Sequence, residues 1–137
     1  MEITVETTIN LPVDTVWKLW TTEVDVKQWN KPSDDWHTTK ANVDFKEGGK
    51  FLLRMELKNG QGGFDHAGVY NKIIVDNLID YTGVDGRRST VTFIADGERT
   101  RLTETFQPEE QTPLDVQRAF CQGVLNNFKT YAETKQR

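Results

Sequence analysis

The sequence predicts an α+β fold in which a curved antiparallel sheet of about seven strands wraps around a long C-terminal helix. Three observations carry this prediction: segments of alternating hydrophobicity separated by Gly-containing turns, two short amphipathic segments after the first strand, and one long amphipathic segment at the end. Elements in this order pack as two layers. A length of 137 residues fits one domain, so we expect 1–137 to form a single domain.

The N-terminal part of the chain contains one strand and two short helices. Apolar and polar side chains alternate through residues 2–10, which is typical of a half-buried strand. Residues 12–20 begin with a proline and carry apolar side chains at helical spacing, which predicts a short helix. Thr22 and Asp25 have the spacing of a capping box, and they indicate a second helix that ends near Trp29.

Six further strands follow from about residue 40, where the alternation resumes. Glycine-containing turn signals separate several of them, namely Gly48-Gly49, Asn59-Gly60, Asp85-Gly86 and Asp96-Gly97. The predicted strands lie near 40–46, 51–57, 66–75, 78–82, 91–93 and 102–106. Short strands joined in this way predict an antiparallel meander.

The last segment is a long helix from about 113 to 134. Thr112, Pro113 and Asp115 supply a cap, a proline at the first helical position and an acid in the first turn. A helix of this length spans about 30 Å, which is enough to cross a whole sheet.

Composition excludes several classes of protein. The chain has 17 Lys and Arg against 21 Asp and Glu, and a net charge of −4 argues against a nucleic-acid partner. One cysteine, Cys121, cannot form an internal disulfide. No apolar run approaches the roughly 20 residues of a membrane span, and the N-terminus lacks the features of a secretory signal. We therefore expect a cytoplasmic protein with no nucleic-acid partner and no membrane insertion.

Motifs for metal, phosphate or nucleophilic chemistry are missing from the sequence. His37, His66 and Cys121 lack the spacing of a zinc site. Gly48-Gly49-Lys50 does not match a P-loop, and no Gly-x-Ser-x-Gly motif occurs. We expect no metal, no cofactor and no assignable catalytic residue.

Five short motifs occur in order along nearly the whole chain. They are Pro12 with Val16-Trp17 and Trp29 near Pro32; Asp44-Phe45-Lys46-Glu47-Gly48-Gly49-Lys50-Phe51; Gly68-x-Tyr70 with Tyr81-Thr82; Thr100-x-Leu102 with Phe106; and Leu125-x-x-Phe128-x-x-Tyr131. Together they resemble the START-related helix-grip (SRPBCC) superfamily, and within it the branch named for homology to the activator of the ninety-kilodalton heat-shock protein ATPase. Many relatives carry Gly-Trp early in the last helix, where this chain has Phe120-Cys121.

The resemblance implies an apolar cavity between the sheet and the last helix, which relatives use for lipids, sterols, polyketide intermediates or plant metabolites. Strand alternation and the apolar stripe of the last helix then predict which side chains would face a ligand, and the resemblance adds Trp29 and Trp36 at the mouth of the cavity. These are Trp29, Trp36, Phe45, Phe51, Leu53, Met55, His66, Tyr70, Tyr81, Phe93, Glu104, Phe106, Phe120, Val124 and Phe128. The alternative is that the same side chains form a filled core, since protein interiors are close-packed.

Glu104 is the most informative member of this set, because alternation places a carboxyl group between Leu102 and Phe106 on the inward face. Burying it costs several kcal/mol unless the group is paired or protonated. His66 and Tyr81 face the same space by parity. The three are either a polar anchor for a ligand or a hydrogen-bond network that stabilises the fold.

Trp29 and Trp36 flank a polar loop over 30–35. In the helix-grip fold this loop lies near the mouth of the cavity, so the two side chains form either a gate or a hydrophobic staple that holds the loop.

These observations predict a carrier, sensor or sequestering protein whose partner is a small hydrophobic molecule. Two alternatives stay open. The name of the branch implies a co-chaperone-like module acting on a heat-shock ATPase, with a chaperone as partner. Relatives of the cyclase or aromatase kind imply an enzyme that uses Glu104 and His66 in the cavity.

Overall fold

The helices and strands follow the predicted order. The computed structural model describes residues 1–135. Its elements are β1 (Ile3–Ile9), α1 (Val13–Thr21), α2 (Glu23–Trp29), β2 (Trp36–Val43), β3 (Lys50–Leu57), β4 (Gly63–Ile74), β5 (Leu78–Gly83), β6 (Arg88–Asp96), β7 (Arg99–Phe106) and α3 (Leu114–Lys135). The predicted α+β fold, with one strand before and six after two short helices, is confirmed.

All seven strands form one antiparallel sheet. Their order is β1-β7-β6-β5-β4-β3-β2, so consecutive strands from β2 to β7 are neighbours and β1 pairs with β7. The sheet curls, and α3 packs across it. Leu125, Phe128 and Ala132 of α3 are each 0% exposed, which places this helix over the core.

One end of the space between sheet and helices is filled by aromatic rings. Trp20 stacks on Trp29 with ring centroids 4.3 Å apart, and Phe128 lies edge-on to both rings at 5.0 and 4.9 Å. Phe93 of β6 packs edge-on against Trp17 at 4.9 Å. Edge-to-face pairs of this kind add stabilisation beyond their buried area, so this end of the fold is a packed core.

Gly123 lies in the middle of α3, where a glycine normally weakens a helix. A β-carbon at this position would lie 2.6 Å from the carbonyl oxygen of Pro32. Asn127, one turn further on, donates a hydrogen bond to the carbonyl of Trp29 at 2.7 Å. The loop after α2 is therefore fastened directly onto α3, and only glycine permits this approach.

The exposed edge of β1 is covered by polar side chains of α3. Three of them donate hydrogen bonds to alternate carbonyls of the strand: Arg118 to Thr4 at 2.9 Å, Gln122 to Glu6 at 2.9 Å and Lys129 to Thr8 at 2.6 Å. An edge strand with occupied carbonyls cannot pair with another chain as readily as an open one.

Four strands begin earlier than predicted. Strand β2 starts at Trp36 instead of near residue 40, and β4 starts at Gly63 instead of near residue 66. Strands β6 and β7 start at Arg88 and Arg99 instead of near residues 91 and 102.

Strands β2 and β4 each contain a bulge, between Thr38 and Lys40 and between Tyr70 and Lys72, respectively. A bulge adds one residue and shifts the alternation, so a strict period of two cannot follow such strands from end to end.

The predicted capping box at the start of α2 is wrong. Thr22 occupies the N-cap position, but its side chain makes no capping hydrogen bond. The hydroxyl instead donates to the carbonyl of Lys18 at 2.6 Å. Because α1 ends directly before α2, this hydroxyl satisfies a carbonyl at the end of α1.

Candidate functional site

A cavity of about 500 Å³ lies between the curled sheet and α3. This volume falls within the range of about 300–1,000 Å³ that is typical of small-molecule pockets. Twelve of the fifteen side chains singled out from the sequence line it: Trp29, Phe45, Phe51, Leu53, Met55, His66, Tyr70, Tyr81, Glu104, Phe106, Phe120 and Val124.

Phe93 and Phe128 lie outside the lining, although both face inward. They belong to the aromatic core, where Phe93 is 3% exposed and Phe128 is 0% exposed. Alternation along β6 and the apolar stripe of α3 indicated that both rings face inward. They did not indicate that Trp17 and Trp20 of α1 fill the space in front of these rings.

Trp36 is also outside the lining and packs behind it. Its ring lies edge-on to Phe64 and Phe120 at 5.8 and 5.5 Å, and those two rings are 5.9 Å apart. Phe64 and Phe120 both line the cavity. We call these three rings the aromatic triangle, and through it Trp36 supports the wall.

Trp29 occupies a different position from Trp36. It is 3% exposed, and its indole N–H donates to the carbonyl of Leu19 at 3.0 Å. Trp29 therefore forms a fixed part of the wall next to the aromatic core, and the two tryptophans do not act on the same opening.

The cavity opens where its lining residues are exposed. Phe64 is 39% exposed, Val116 51% and Val84 82%, and all three line the cavity. They belong to the start of β4, the first turn of α3 and the turn between β5 and β6. Beside them, Arg87 forms an ion pair with Asp85 at 2.6 Å. The opening thus has an apolar rim with one charged pair.

The rim residues were not predicted as site residues. Phe64 lies between the predicted strands 51–57 and 66–75, and Val84 lies in a turn, where side chains do not alternate in hydrophobicity. Val116 shares the helical spacing of Phe120 and Val124 in the predicted last helix, and this apolar stripe was the signal that could have identified it.

Three polar side chains meet on the cavity wall. The hydroxyl of Tyr81 donates to Oε2 of Glu104 at 3.2 Å and lies 3.4 Å from Nε2 of His66. These residues lie on β5, β7 and β4, respectively. Tyr81 reaches Glu104 across β6, where its pairing partner Ser89 has a small side chain. We call these three residues the polar cluster.

Burial sets the protonation of the polar cluster. It raises the pKa of Glu104 to about 7, although the hydrogen bond from Tyr81 acts in the opposite direction. It lowers the pKa of His66 to about 4, and the positive charge of Arg87 adds to this effect. At neutral pH His66 is therefore neutral, and Glu104 exists as a mixture of carboxylic acid and carboxylate.

Cys121 lies on the cavity wall near Glu104. Burial raises the pKa of its thiol, and the charge of Glu104 raises it further. Since the thiolate is the nucleophile, a thiol in this setting is unreactive.

Glu109, in the segment before α3, also lines the cavity. Its Oε1 is buried and has no hydrogen-bond partner within residues 1–135. Its backbone is held by Gln117, which accepts from the N–H at 2.9 Å and donates to the carbonyl at 3.0 Å. Sequence reasoning gave no signal for this residue.

Within residues 1–135, no three His, Cys, Asp or Glu side chains are grouped so that they could hold a metal ion. None of the helices in the described part of the chain is long and apolar enough to cross a membrane.

Comparison with known proteins places the chain among relatives of similar length. The family described as Activator of Hsp90 ATPase homolog 1-like protein matches residues 10–133. An AHSA1-like protein from Aeromonas hydrophila is 34% identical, with a TM-score of 0.91 over 99% of this chain and 94% of that one. A protein from Cytophaga hutchinsonii is 38% identical, with a TM-score of 0.83 over 98% and 94%.

More distant structures share the fold alone. A protein from Nitrosomonas europaea is 17% identical, with a TM-score of 0.85 over 99% of this chain and 96% of that one. No match was found among curated proteins.

Proposed function

The chain belongs to the family of Activator of Hsp90 ATPase homolog 1-like proteins, and we propose that it binds a small, largely apolar ligand in its cavity. It would act as a carrier, sensor or sequestering protein. The observation that carries this proposal is the space of about 500 Å³ between sheet and α3. A filled core would leave no room of that size.

The chemistry of the wall supports the proposal. Ligand pockets are mostly apolar and contain a few polar groups that orient the ligand. Here aromatic and aliphatic side chains make up most of the lining, and the polar cluster of His66, Tyr81 and Glu104 interrupts it.

Ligand-detected NMR and native mass spectrometry with lipids and aromatic metabolites test the proposal. Wild-type protein should retain at least one compound of these classes. Val124→Trp places a large ring in the cavity and should abolish binding, because Val124 lines the wall. Thr134→Trp adds the same ring at an exposed position of the same helix and is the matched control. No binding to the wild type, or equal binding to both variants, would contradict the proposal.

A cyclase-like or aromatase-like enzyme is a second candidate, favoured by the polar cluster. A carboxyl group with a pKa of about 7 suits general acid–base catalysis at neutral pH. Turnover of a polyketide-like substrate that survives the substitution Glu104→Gln would remove this candidate.

A chaperone partner is a third candidate, and the name of the family is the observation that favours it. Its test is a pull-down with the ninety-kilodalton heat-shock protein together with an assay of that protein's ATPase. An unchanged ATPase rate in the presence of excess protein would exclude the activator role.

A further inference from the structure

The polar cluster defines the class of ligand, an inference that rests on the proposed function. We propose that the cavity selects an aromatic molecule with one hydroxyl group, that this hydroxyl donates a hydrogen bond to the Glu104 carboxylate, and that binding releases to solvent the proton that Glu104 otherwise carries.

Glu104 has unused capacity to accept hydrogen bonds. Within the described residues, its carboxyl group receives one side-chain hydrogen bond, which Tyr81 donates to Oε2. A carboxylate can accept about four. Because Glu104 also lines the cavity, the remaining acceptor positions are available to a ligand.

The groups that face Glu104 are neutral at neutral pH. Tyr81 lies on β5, His66 on β4 and Cys121 on α3. Burial keeps His66 unprotonated, and it keeps the phenol and the thiol protonated. The charged groups elsewhere on the wall are Asp65, Asp85, Arg87 and Glu109. The Glu104 carboxylate therefore has no cationic partner within hydrogen-bond reach in residues 1–135.

A neutral hydroxyl fits this acceptor better than a cation does. A buried ion pair gains little net free energy, since both charges must lose their hydration. A hydroxyl donates a charge-assisted hydrogen bond to a carboxylate at a much smaller desolvation cost. A ligand that only accepts hydrogen bonds, such as an aryl ether, prefers the protonated acid.

The wall beside the polar cluster suits an aromatic body. The ring of Phe51 lies 5.3 Å from that of His66, 5.1 Å from that of Tyr81 and 5.1 Å from that of Tyr70. Phe45 continues this wall at 5.2 Å from Tyr70. A planar ring packs edge-on or offset against such rings.

Ligand binding is coupled to the release of a proton because Glu104 is partly protonated at neutral pH. Burial raises its pKa to about 7, so both forms are populated at neutral pH. A hydroxyl group that donates to the carboxylate stabilises it and lowers this pKa. Binding of such a ligand therefore releases the proton to solvent. An ether has the opposite effect and drives proton uptake.

The test compares 2-naphthol with 2-methoxynaphthalene by isothermal titration calorimetry at pH 7, in buffers whose ionisation enthalpies differ. With wild-type protein, 2-naphthol should bind about tenfold or more tightly than the ether, as a charge-assisted hydrogen bond implies. It should release a fraction of a proton, whereas the ether should release none or take up a fraction of one.

Two variants assign the proton to Glu104. Glu104→Gln should abolish proton release and reduce the preference for 2-naphthol over the ether. Tyr81→Phe removes the hydrogen bond that lowers the pKa of Glu104. More of Glu104 is then protonated at pH 7, so 2-naphthol should release more protons than it does from the wild type. This second variant keeps the test decisive if the first fails to fold.

The outcomes separate the two proposals. If both compounds bind with equal affinity and no proton exchange, the role of Glu104 is wrong and the cavity remains a binding site. If proton release persists in Glu104→Gln, or is unchanged in Tyr81→Phe, the assignment to Glu104 is also wrong. If neither compound binds at any pH but lipids do, this ligand class is wrong and ligand binding stands. If no compound of any class binds, both proposals fall.

Discussion

The hydroxyl of Tyr81 donates to Oε2 of Glu104 at 3.2 Å, although the two residues lie on strands that are not neighbours in the sheet. Strand β6 separates them. On β6, Tyr81 pairs with Ser89, whose side chain is small, and Glu104 pairs with Val91. A carboxyl group is thereby held on the wall of an otherwise mostly apolar cavity, and its protonation has consequences for stability that can be measured.

Glu104 should lower the stability of the folded protein as pH rises. Its pKa is raised from 4.5 to about 7 on folding, so between these values the folded state binds more protons than the unfolded state. The free energy of unfolding must fall across this window, by on the order of 2–3 kcal/mol. Glu104→Gln removes this cost, so the variant should gain stability relative to the wild type as pH rises from 4.5 to 7.5. Urea denaturation at several pH values measures this difference, and parallel profiles would contradict it.

His66 should act in the opposite direction. Its pKa is lowered from 6.5 to about 4 on folding, so between these values the unfolded state binds more protons and stability rises with pH. His66→Gln removes this term, and the variant should lose less stability than the wild type when the pH falls from 6.5 to 4. Thr134→Ala, at an exposed position of α3 without a titratable group, is the control and should follow the wild-type profile. Denaturation profiles in which both variants behave alike would refute this account.

Gly123→Ala should destabilise the protein, although alanine is favoured over glycine in a helix by about 1 kcal/mol. The new β-carbon would lie 2.6 Å from the carbonyl oxygen of Pro32, so the loop after α2 must move away from α3. We expect a net loss of about 1–3 kcal/mol in thermal or urea unfolding. Thr134→Ala, at an exposed position of the same helix, should change stability by less than about 0.5 kcal/mol. A Gly123→Ala variant more stable than the wild type would show that the loop after α2 moves away from α3 without loss of stability.

Cys121 should report on occupancy of the cavity. Burial raises the pKa of its thiol, so alkylation by iodoacetamide at pH 8 should be far slower than in the urea-unfolded chain. A ligand in the cavity should slow it further, because Cys121 lies on the wall. Mass spectrometry of the alkylated protein gives the rates. Reaction as fast as in the unfolded chain would mean that the thiol is open to solvent.

The aromatic triangle should control the exchange of ligand through the opening. Trp36 packs behind Phe64 and Phe120, both of which line the cavity. Trp36→Ala removes this support, so the association and dissociation rates should rise by similar factors and Kd should change little. Stopped-flow fluorescence with a bound aromatic compound measures both rates, and Ile94→Ala, at an exposed position of β6, is the control. Unchanged rates would favour the alternative that Trp36 only holds its loop.

The fold could be predicted because its signals are local. Alternation, glycine turns and the Thr112-Pro113 signal just before α3 each depend on a few neighbouring residues, although the helix itself begins at Leu114. Alternation also placed Glu104 on the inward face, and with it the polar cluster. The bulges in β2 and β4 could not be predicted in this way, since each depends on pairing with a partner strand.

The boundary between core and cavity could not be predicted from parity. Phe93 and Phe106 both face inward, but tryptophans of α1 cover Phe93 while Phe106 lines the cavity. Which rings enclose space depends on how α1 and α2 pack over the sheet. The rim residue Val84 lies in a turn, where side chains do not alternate in hydrophobicity and so do not indicate which of them face the cavity.

The most direct test of ligand binding in the cavity is an amide NMR titration with 2-naphthol, with intermolecular NOEs measured at saturation. The account predicts shifts that saturate and NOEs from the naphthyl protons to Phe51, Tyr81 and Val124, with the exposed face of the sheet unaffected. Shifts confined to the surface, or NOEs to side chains outside the cavity wall, would contradict it.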